Sequence, residues 1–324
     1  MSLSSVLIES LDAIDERARG GAVSIGNFDG VHLGHAAIVK ALVESSRRLG
    51  GPAVVFTFHP HPLAVVAADR APTPLMWPAR KAALLAELGV DSVVMCPADR
   101  DLLALEPERF FRAVLVEKLQ ARGVVEGPNF RFGKNRSGDR ETLERLCRDH
   151  QMELVICSPV QDAGGIVSSS RIREWIAHGE IAKANDRMVA PYRICGRVVR
   201  GAGRGRSLGF PTANLTSIPV LVPAVGVYAG RAWVGGDMFP AAIHIGPNPT
   251  FGEHERKVEV HLIDVEEELE GAEIEVEFIR RLRGVQSFAS AEELCRQLEQ
   301  DVAAARRLAA ADHNEKGAGD GHDG

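Results

Sequence analysis

The 324 residues are 45% hydrophobic and 25% charged, the mix of an ordinary globular protein with room for two cores. A formal net charge of -6 excludes a general nucleic-acid or anionic-membrane binder, although it leaves room for a local basic pocket. No run reaches the roughly 18 apolar residues of a membrane span. The first twenty residues carry Glu9, Asp12, Asp15 and Glu16 instead of the basic start and apolar stretch of a secretory signal. The cysteines, at 96, 147, 157, 195 and 295, are odd in number, scattered and without a Cys-x-x-Cys pair, so they read as reduced thiols. The expectation is a cytoplasmic protein with no nucleic-acid and no membrane partner; the oligomeric state stays open.

In chain order, apolar runs at 22–25, 53–58, 92–96, 124–125 and 154–157 predict strands. Segments of helical composition separate or follow them at 35–49, 78–88, 107–121, 139–150 and 170–178. Strands alternating with helices predict an α/β half with a mostly parallel sheet. After about Met188 the period changes to two: Val258, Val260 and Leu262 alternate with Glu259, His261 and Ile263, and Ile274, Val276 and Phe278 with glutamates. Frequent Gly and Pro between these runs predict a small antiparallel β-barrel. Ser290 and Glu293 form a capping box before a closing helix carrying Leu294, Leu298, Val302 and Ala305. The division expected is 1–187, 188–312 and a disordered polar tail at 313–324.

Two stretches carry chemistry. The first runs from Gly26 through Asn27, Phe28, Asp29 and Gly30 to His32 and His35, between the first strand and the first long helix. Backbone N–H groups at a helix N-terminus bind anions, and imidazoles three residues apart can serve one phosphate. Taken alone, the pair also reads as ordinary helix-start residues. A second candidate phosphate clamp is Ser168, Ser169 and Ser170 followed by Arg171 and Arg173, which alone also reads as a solvated helix face. The other stretch is the glycine-rich basic loop Arg204-Gly205-Arg206-Ser207-Leu208-Gly209-Phe210-Pro211-Thr212-Ala213-Asn214. Turn chemistry accounts for it equally well when it stands alone.

Together these motifs resemble those of the bacterial bifunctional riboflavin kinase/FMN adenylyltransferases, also called FAD synthetases. The resemblance implies a Rossmann-like HxGH nucleotidyltransferase domain followed by a six-stranded antiparallel barrel with a closing helix. It implies that riboflavin is phosphorylated with ATP to FMN, and that FMN is then adenylylated to FAD. ATP at the adenylyl site would meet Gly26, Asn27, Phe28, Asp29, Gly30, His32, His35, Ser168–Ser170, Arg171 and Arg173. Flavin there would meet Phe58, His59 and Pro60 in Phe56-Thr57-Phe58-His59-Pro60, and Asn129 and Phe130 in Pro128-Asn129-Phe130-Arg131-Phe132-Gly133. ATP at the kinase site would meet Gly205, Arg206, Gly209, Phe210, Pro211, Thr212 and Asn214, with Mg2+ held by Thr212 and Asn214. Glu259 is implied as the kinase base. Further similarity lies in Ile245-Gly246-Pro247-Asn248-Pro249-Thr250-Phe251-Gly252. The chain departs from the common pattern at Ser170, His59, Asn129, Glu270 and Gly284. Two alternatives are a single activity with one module degenerate and a flavin-binding protein without catalysis; a retained base at Glu259 speaks against the second.

Overall fold

A computed structural model describes residues 6–201, 203–247, 255–265 and 268–317, without the side chains of 312–317. The chain divides into two compact units, Met1–Ser169 and Ser170–Gly324.

The first unit is built on six strands: β1 (Leu7–Ile8), β2 (Ala22–Ile25), β3 (Ala53–His59), β4 (Ser92–Pro97), β5 (Gly123–Glu126) and β6 (Glu153–Ile156). They pair in parallel in the order β1-β4-β3-β2-β5-β6. Residues 53–57 and 92–96 are wholly buried, which explains why these strands read as continuous apolar runs. β1 was not anticipated, since two residues carry no periodicity. The chain moves from β2 to β3 and β4 on one side, then returns to β5 and β6 on the other. Strand order therefore reverses between β2 and β5, and the crevice outside the carboxyl ends of such strands is where α/β sheets bind ligands.

Helices Leu33–Leu49, Pro78–Glu87 and Arg140–Asp149 lie close to the expected spans. The helix expected at 107–121 is an α turn, Pro107–Phe110, followed by π-helix over Phe111–Lys118. Its buried residues Phe110, Val114, Leu115 and Leu119 recur every four to five positions, a spacing that wider i→i+5 turns align on one face. A small hairpin, β7 (Gln161–Asp162) and β8 (Gly165–Ile166), completes this unit.

The second unit begins within the helix Ser169–Ala177 and continues through a short helix, Ile181–Asn185. Its strands are β9 (Arg193–Val199), β10 (Ala213–Thr216), β11 (Gly226–Val234), β12 (Asp237–Gly246), β13 (Lys257–Leu262) and β14 (Glu273–Arg283). All pair antiparallel and close into a barrel in the order β10-β13-β12-β11-β14-β9. Val258, Val260 and Leu262 are buried as their alternation requires, and Glu259 takes the opposite face.

The closing helix, Ala291–Gly317, starts on the expected cap: Ser290 Oγ accepts the Glu293 N–H at 3.2 Å. It runs into the tail expected to be irregular; residues 318–324 lie outside the described set. Ala305 and Ala309 are buried on the barrel side, and small residues there let the helix approach closely. A buried ion network anchors it. Arg231 donates to Glu277 at 3.0 Å and to the Ala309 carbonyl at 2.7 Å. Glu277 also accepts from Arg193, whose guanidinium lies 3.5 Å from the centroid of the Trp233 ring.

Candidate active sites

The first site forms where β2 ends. His32 is the N-cap of the helix Leu33–Leu49. Its Nδ1 accepts the His35 N–H, and His35 Nδ1 accepts the His32 N–H, each at 3.3 Å. The rings stack with centroids 3.6 Å apart. Because each Nδ1 is an acceptor, each neutral ring carries its hydrogen on Nε2. Burial pushes His32 down to about 4. His35 is driven well below the usual histidine range by burial first, then by the neighbouring His32 and Lys81 charges. The result is a stacked pair of neutral imidazoles at the positive end of a helix, each with one N–H to give.

The loop before them is tightly determined. Phe28 and Val31 adopt positive φ (45° and 30°), held by near-complete burial. Gly30, at φ 85°, has no room for a side chain, since a β-carbon would lie 2.7 Å from Leu75 Cδ1. Gly26 continues the sheet by donating its N–H to the Phe56 carbonyl. Both Asp29 carboxylate oxygens accept the Leu75 N–H at 3.0 Å, so this acid is committed to the loop. Ser169 Oγ donates to the Asp29 carbonyl at 2.7 Å. The Asn27 side-chain amide lies 2.9 Å from His61 Nε2, while its carbonyl accepts from Thr57 Oγ1 and from Lys81 Nζ at 2.7 Å. Lys81, only 7% exposed, was missed from sequence; a lysine on the buried stripe of its helix was the available signal.

The expected flavin residues stand at the ends of the strands flanking β2. Phe58 and the exposed His59 end β3, with Pro60 next; Asn129 and Phe130 follow β5. Phe58 packs edge-on to Phe56, and Phe130 stacks on Phe132 at 5.4 Å. Burial, then the Lys81 charge, lowers His59. Ser168 ends the segment after β8. Ser170, Arg171 and Arg173 belong to the second unit, where the Arg171 guanidinium lies 4.7 Å from the centroid of the Trp175 ring.

The second site lies on the barrel. Glu259 on β13 pairs in register with Asn214 on β10 and with His244 on β12. Thr212 and Asn214 form the wall shared by two cavities. The one containing Glu259 is mainly apolar, closed by Phe210, Phe288 and the closing-helix residues Leu294, Leu298 and Val302. The other is polar, lined by Arg200, Arg206, Glu268 and Glu270. Arg206 pairs with Glu268 at 2.9 Å. The glycines fit this construction: a β-carbon on Gly201 would lie 2.1 Å from Asn214 Nδ2, and one on Gly205 would lie 2.3 Å from the Phe210 carbonyl. Gly209 adopts φ 87°. His261 Nδ1–H donates to the Pro211 carbonyl at 2.7 Å, fixing the end of the loop. The conformation of the 248–254 segment lies outside the described residues. His244 and the closing-helix wall were not assigned from sequence. No spacing along the chain signals the former, whose place comes from register with Glu259; the latter was read only as packing.

Among the described residues, no three His, Cys, Asp or Glu side chains are grouped to hold a metal ion, and no helix is long and apolar enough to cross a membrane. The described cysteines are free thiols.

The FAD synthetase family profile matches residues 14–171, and the riboflavin kinase profile matches residues 188–309. The chain is 36% identical over 304 residues to the bifunctional riboflavin kinase/FMN adenylyltransferase of Escherichia coli K12, spanning 93% of this chain and 97% of that one. Its counterpart in Bacillus subtilis is 32% identical over 293 residues, spanning 89% and 92%. A crystal structure described as a macrolide-efflux protein from Streptococcus pneumoniae superposes with a TM-score of 0.83 at 28% identity, covering 93% of this chain and 99% of that one.

Proposed function

This chain belongs to the bifunctional riboflavin kinase/FMN adenylyltransferase family, and from that premise we propose how its residues divide the two reactions. It phosphorylates riboflavin with ATP to give FMN, then adenylylates FMN with a second ATP to give FAD and pyrophosphate. The observation that carries the division is a contrast in acid–base equipment. The first site offers two neutral imidazole donors, and the carboxylate of its loop, Asp29, is turned onto Leu75. The second places the carboxylate of Glu259 in an apolar cleft.

The adenylyl step needs no base, because the attacking FMN phosphate is already ionised. A phosphate oxygen of FMN forms a bond to the α-phosphorus of ATP, and the α–β bridging bond breaks to release pyrophosphate. His32 and His35 donate Nε2–H hydrogen bonds to the phosphate oxygens on which charge builds. Asn27, Phe28 and Gly30 shape the loop around those phosphates, and Ser168 and Ser169 supply further donors. Phe58, His59, Pro60, Asn129 and Phe130 provide the face for the flavin.

The kinase step starts from an alcohol. Glu259 takes the proton of the ribityl hydroxyl as its oxygen bonds to the γ-phosphorus and ADP departs. Riboflavin occupies the apolar cavity and ATP the polar one, so nucleophile and phosphate meet at the wall formed by Thr212 and Asn214. Those two oxygen donors, in a cradle kept open by Gly201 and Gly205, fit Mg2+, which takes oxygen ligands and retains waters and phosphate oxygens. The ion would neutralise charge on the transferred phosphate. A cytoplasmic location belongs to the same proposal, supported by the free thiols.

The test is a pair of initial rates, from riboflavin and from supplied FMN, on two variants. H32A should lose FAD formation by about 10²–10³-fold and keep FMN formation. E259Q should lose FMN formation by about 10²–10⁴-fold and keep adenylylation. Both activities falling together in either variant would overturn the division.

A further inference from the structure

We propose that His244 is a positioning residue for the kinase base, holding one carboxylate oxygen of Glu259 through its Nδ1–H; the proposal rests on the assignment of Glu259 as base. The two residues face each other in register across β12 and β13, with Nδ1 3.6 Å from Oε2. That nitrogen is buried and has no hydrogen-bond partner among the described residues. A buried ring nitrogen left without a partner is costly, so a specific interaction is expected in the working state. Glu259 is the group in reach. Hydrogen bonds in an empty site are often long and tighten in the reacting complex.

The surroundings favour one direction of donation. His261 uses its own Nδ1–H on the Pro211 carbonyl, which leaves the neighbouring histidine of this cleft, His244, facing the carboxylate. Arg283 and Asp301, on the same cleft, are engaged with each other at 2.6 Å. On the side away from β13, His244 pairs with Val227 of β11, which offers no polar side chain. With its hydrogen on Nδ1, His244 donates to Oε2 and fixes the carboxylate plane. The other carboxylate oxygen is then presented to the ribityl hydroxyl, receives its proton as the O–P bond forms, and the pair remains hydrogen-bonded. His244 lines the cleft beside Glu259 and, in this scheme, acts on the reaction through that carboxylate.

The amide nitrogen of an asparagine sits near the place of imidazole Nδ1, that of a glutamine about one bond further out. H244N should therefore keep kcat for riboflavin phosphorylation within about 3-fold, whereas H244L and H244Q should lower it by about 10–100-fold, the scale of a misplaced catalytic group. KM for riboflavin should change less than about 2-fold in H244N, and less than kcat does in the other two, since the residue lines the cleft but acts on the chemical step. In an E259Q background H244L should add no further loss, because the group it positions is gone. An H244L protein at full kcat, an H244N protein as slow as H244L, or an undiminished effect of H244L on top of E259Q would each overturn the proposal. If E259Q alone keeps its rate, the base assignment fails; if E259Q is slow and H244L is not, only the role of His244 fails. Should H244L fold poorly in thermal melts, the comparison of H244N with H244Q decides.

Discussion

The imidazole of His32 occupies the space that a β-carbon on Gly34 would need, since such an atom would lie 3.0 Å from both Cε1 and Nδ1 of the ring. The Val167 carbonyl closes the other side at 3.5 Å. The glycine between the two histidines is thus what allows their rings to stack. G34A should push the His32 ring by a few tenths of an ångström and lower FAD formation from FMN by about 10-fold, short of the ~10²-fold cost of a full 1 Å misplacement. Riboflavin phosphorylation should be unchanged. Paired initial rates decide it, and a G34A enzyme with normal adenylylation would sink the packing argument.

The neutral state of the pair has a pH signature. Both histidines are depressed in the fold, His32 from 6.5 to about 4, chiefly by burial. As pH falls, the unfolded chain takes up these protons first. The stability they contribute is therefore complete above pH 6.5 and is lost as pH falls toward about 4. Nitrogen-edited NMR of the imidazoles should show both rings neutral and protonated on Nε2 from pH 8 to about 5. Ordinary titration near 6.5, or hydrogen on Nδ1, would contradict the reciprocal cap.

Arg283 and Asp301 tie β14 to the closing helix across the rim of the apolar cavity, with Arg283 donating to both carboxylate oxygens. Gln297 supports the same carboxylate at 3.0 Å. D301N leaves a largely buried guanidinium without its anion. It should destabilise the barrel by about 2–3 kcal/mol in urea melts, the low end for a broken buried pair because Arg283 keeps some solvent contact. KM for riboflavin should rise, as Leu294, Leu298 and Val302 ride on that helix. An unchanged urea midpoint would count against the strap.

Where the kinase half begins can be tested by truncation. Asn185 donates to the Phe278 carbonyl and accepts the Tyr192 N–H, both at 2.8 Å. A fragment of residues 188–312 loses both bonds; one of residues 170–312 retains them. Each stranded group costs about 1–3 kcal/mol. The longer fragment should make FMN without FAD and melt several degrees above the shorter. Equal melting temperatures would place the boundary at 188.

The parallel strands were legible because burial on both faces leaves an unmixed apolar run, as in 53–56. The barrel strands were legible because one face is wet, as Val258, Val260 and Leu262 record. What escaped were features set by tertiary contact. The Pro62–Val66 and Ile181–Asn185 helices are too short for a period to appear. Glu277 reads as one of several solvent-facing glutamates on β14, yet is 2% exposed between two arginines from other strands. Likewise His244 acquires its place only through register with Glu259, which no spacing along the chain reveals.

At the carboxyl end of β5, Glu126 is wholly enclosed, and its Oε1 accepts the Ile25 N–H at 2.6 Å where the β2–β5 ladder ends. Burial raises this carboxyl well above its usual 4.5, against a smaller opposing effect of that hydrogen bond. Enclosure thus favours the neutral form of this carboxyl in the folded molecule. An acid held neutral by the fold stabilises it most below 4.5 and gives that stability up as pH rises above 4.5. Where the pH lies between the usual 4.5 and the raised value, unfolding expels a proton into the medium. The heat of unfolding should accordingly differ between buffers in proportion to their enthalpies of protonation, a difference that E126Q should diminish.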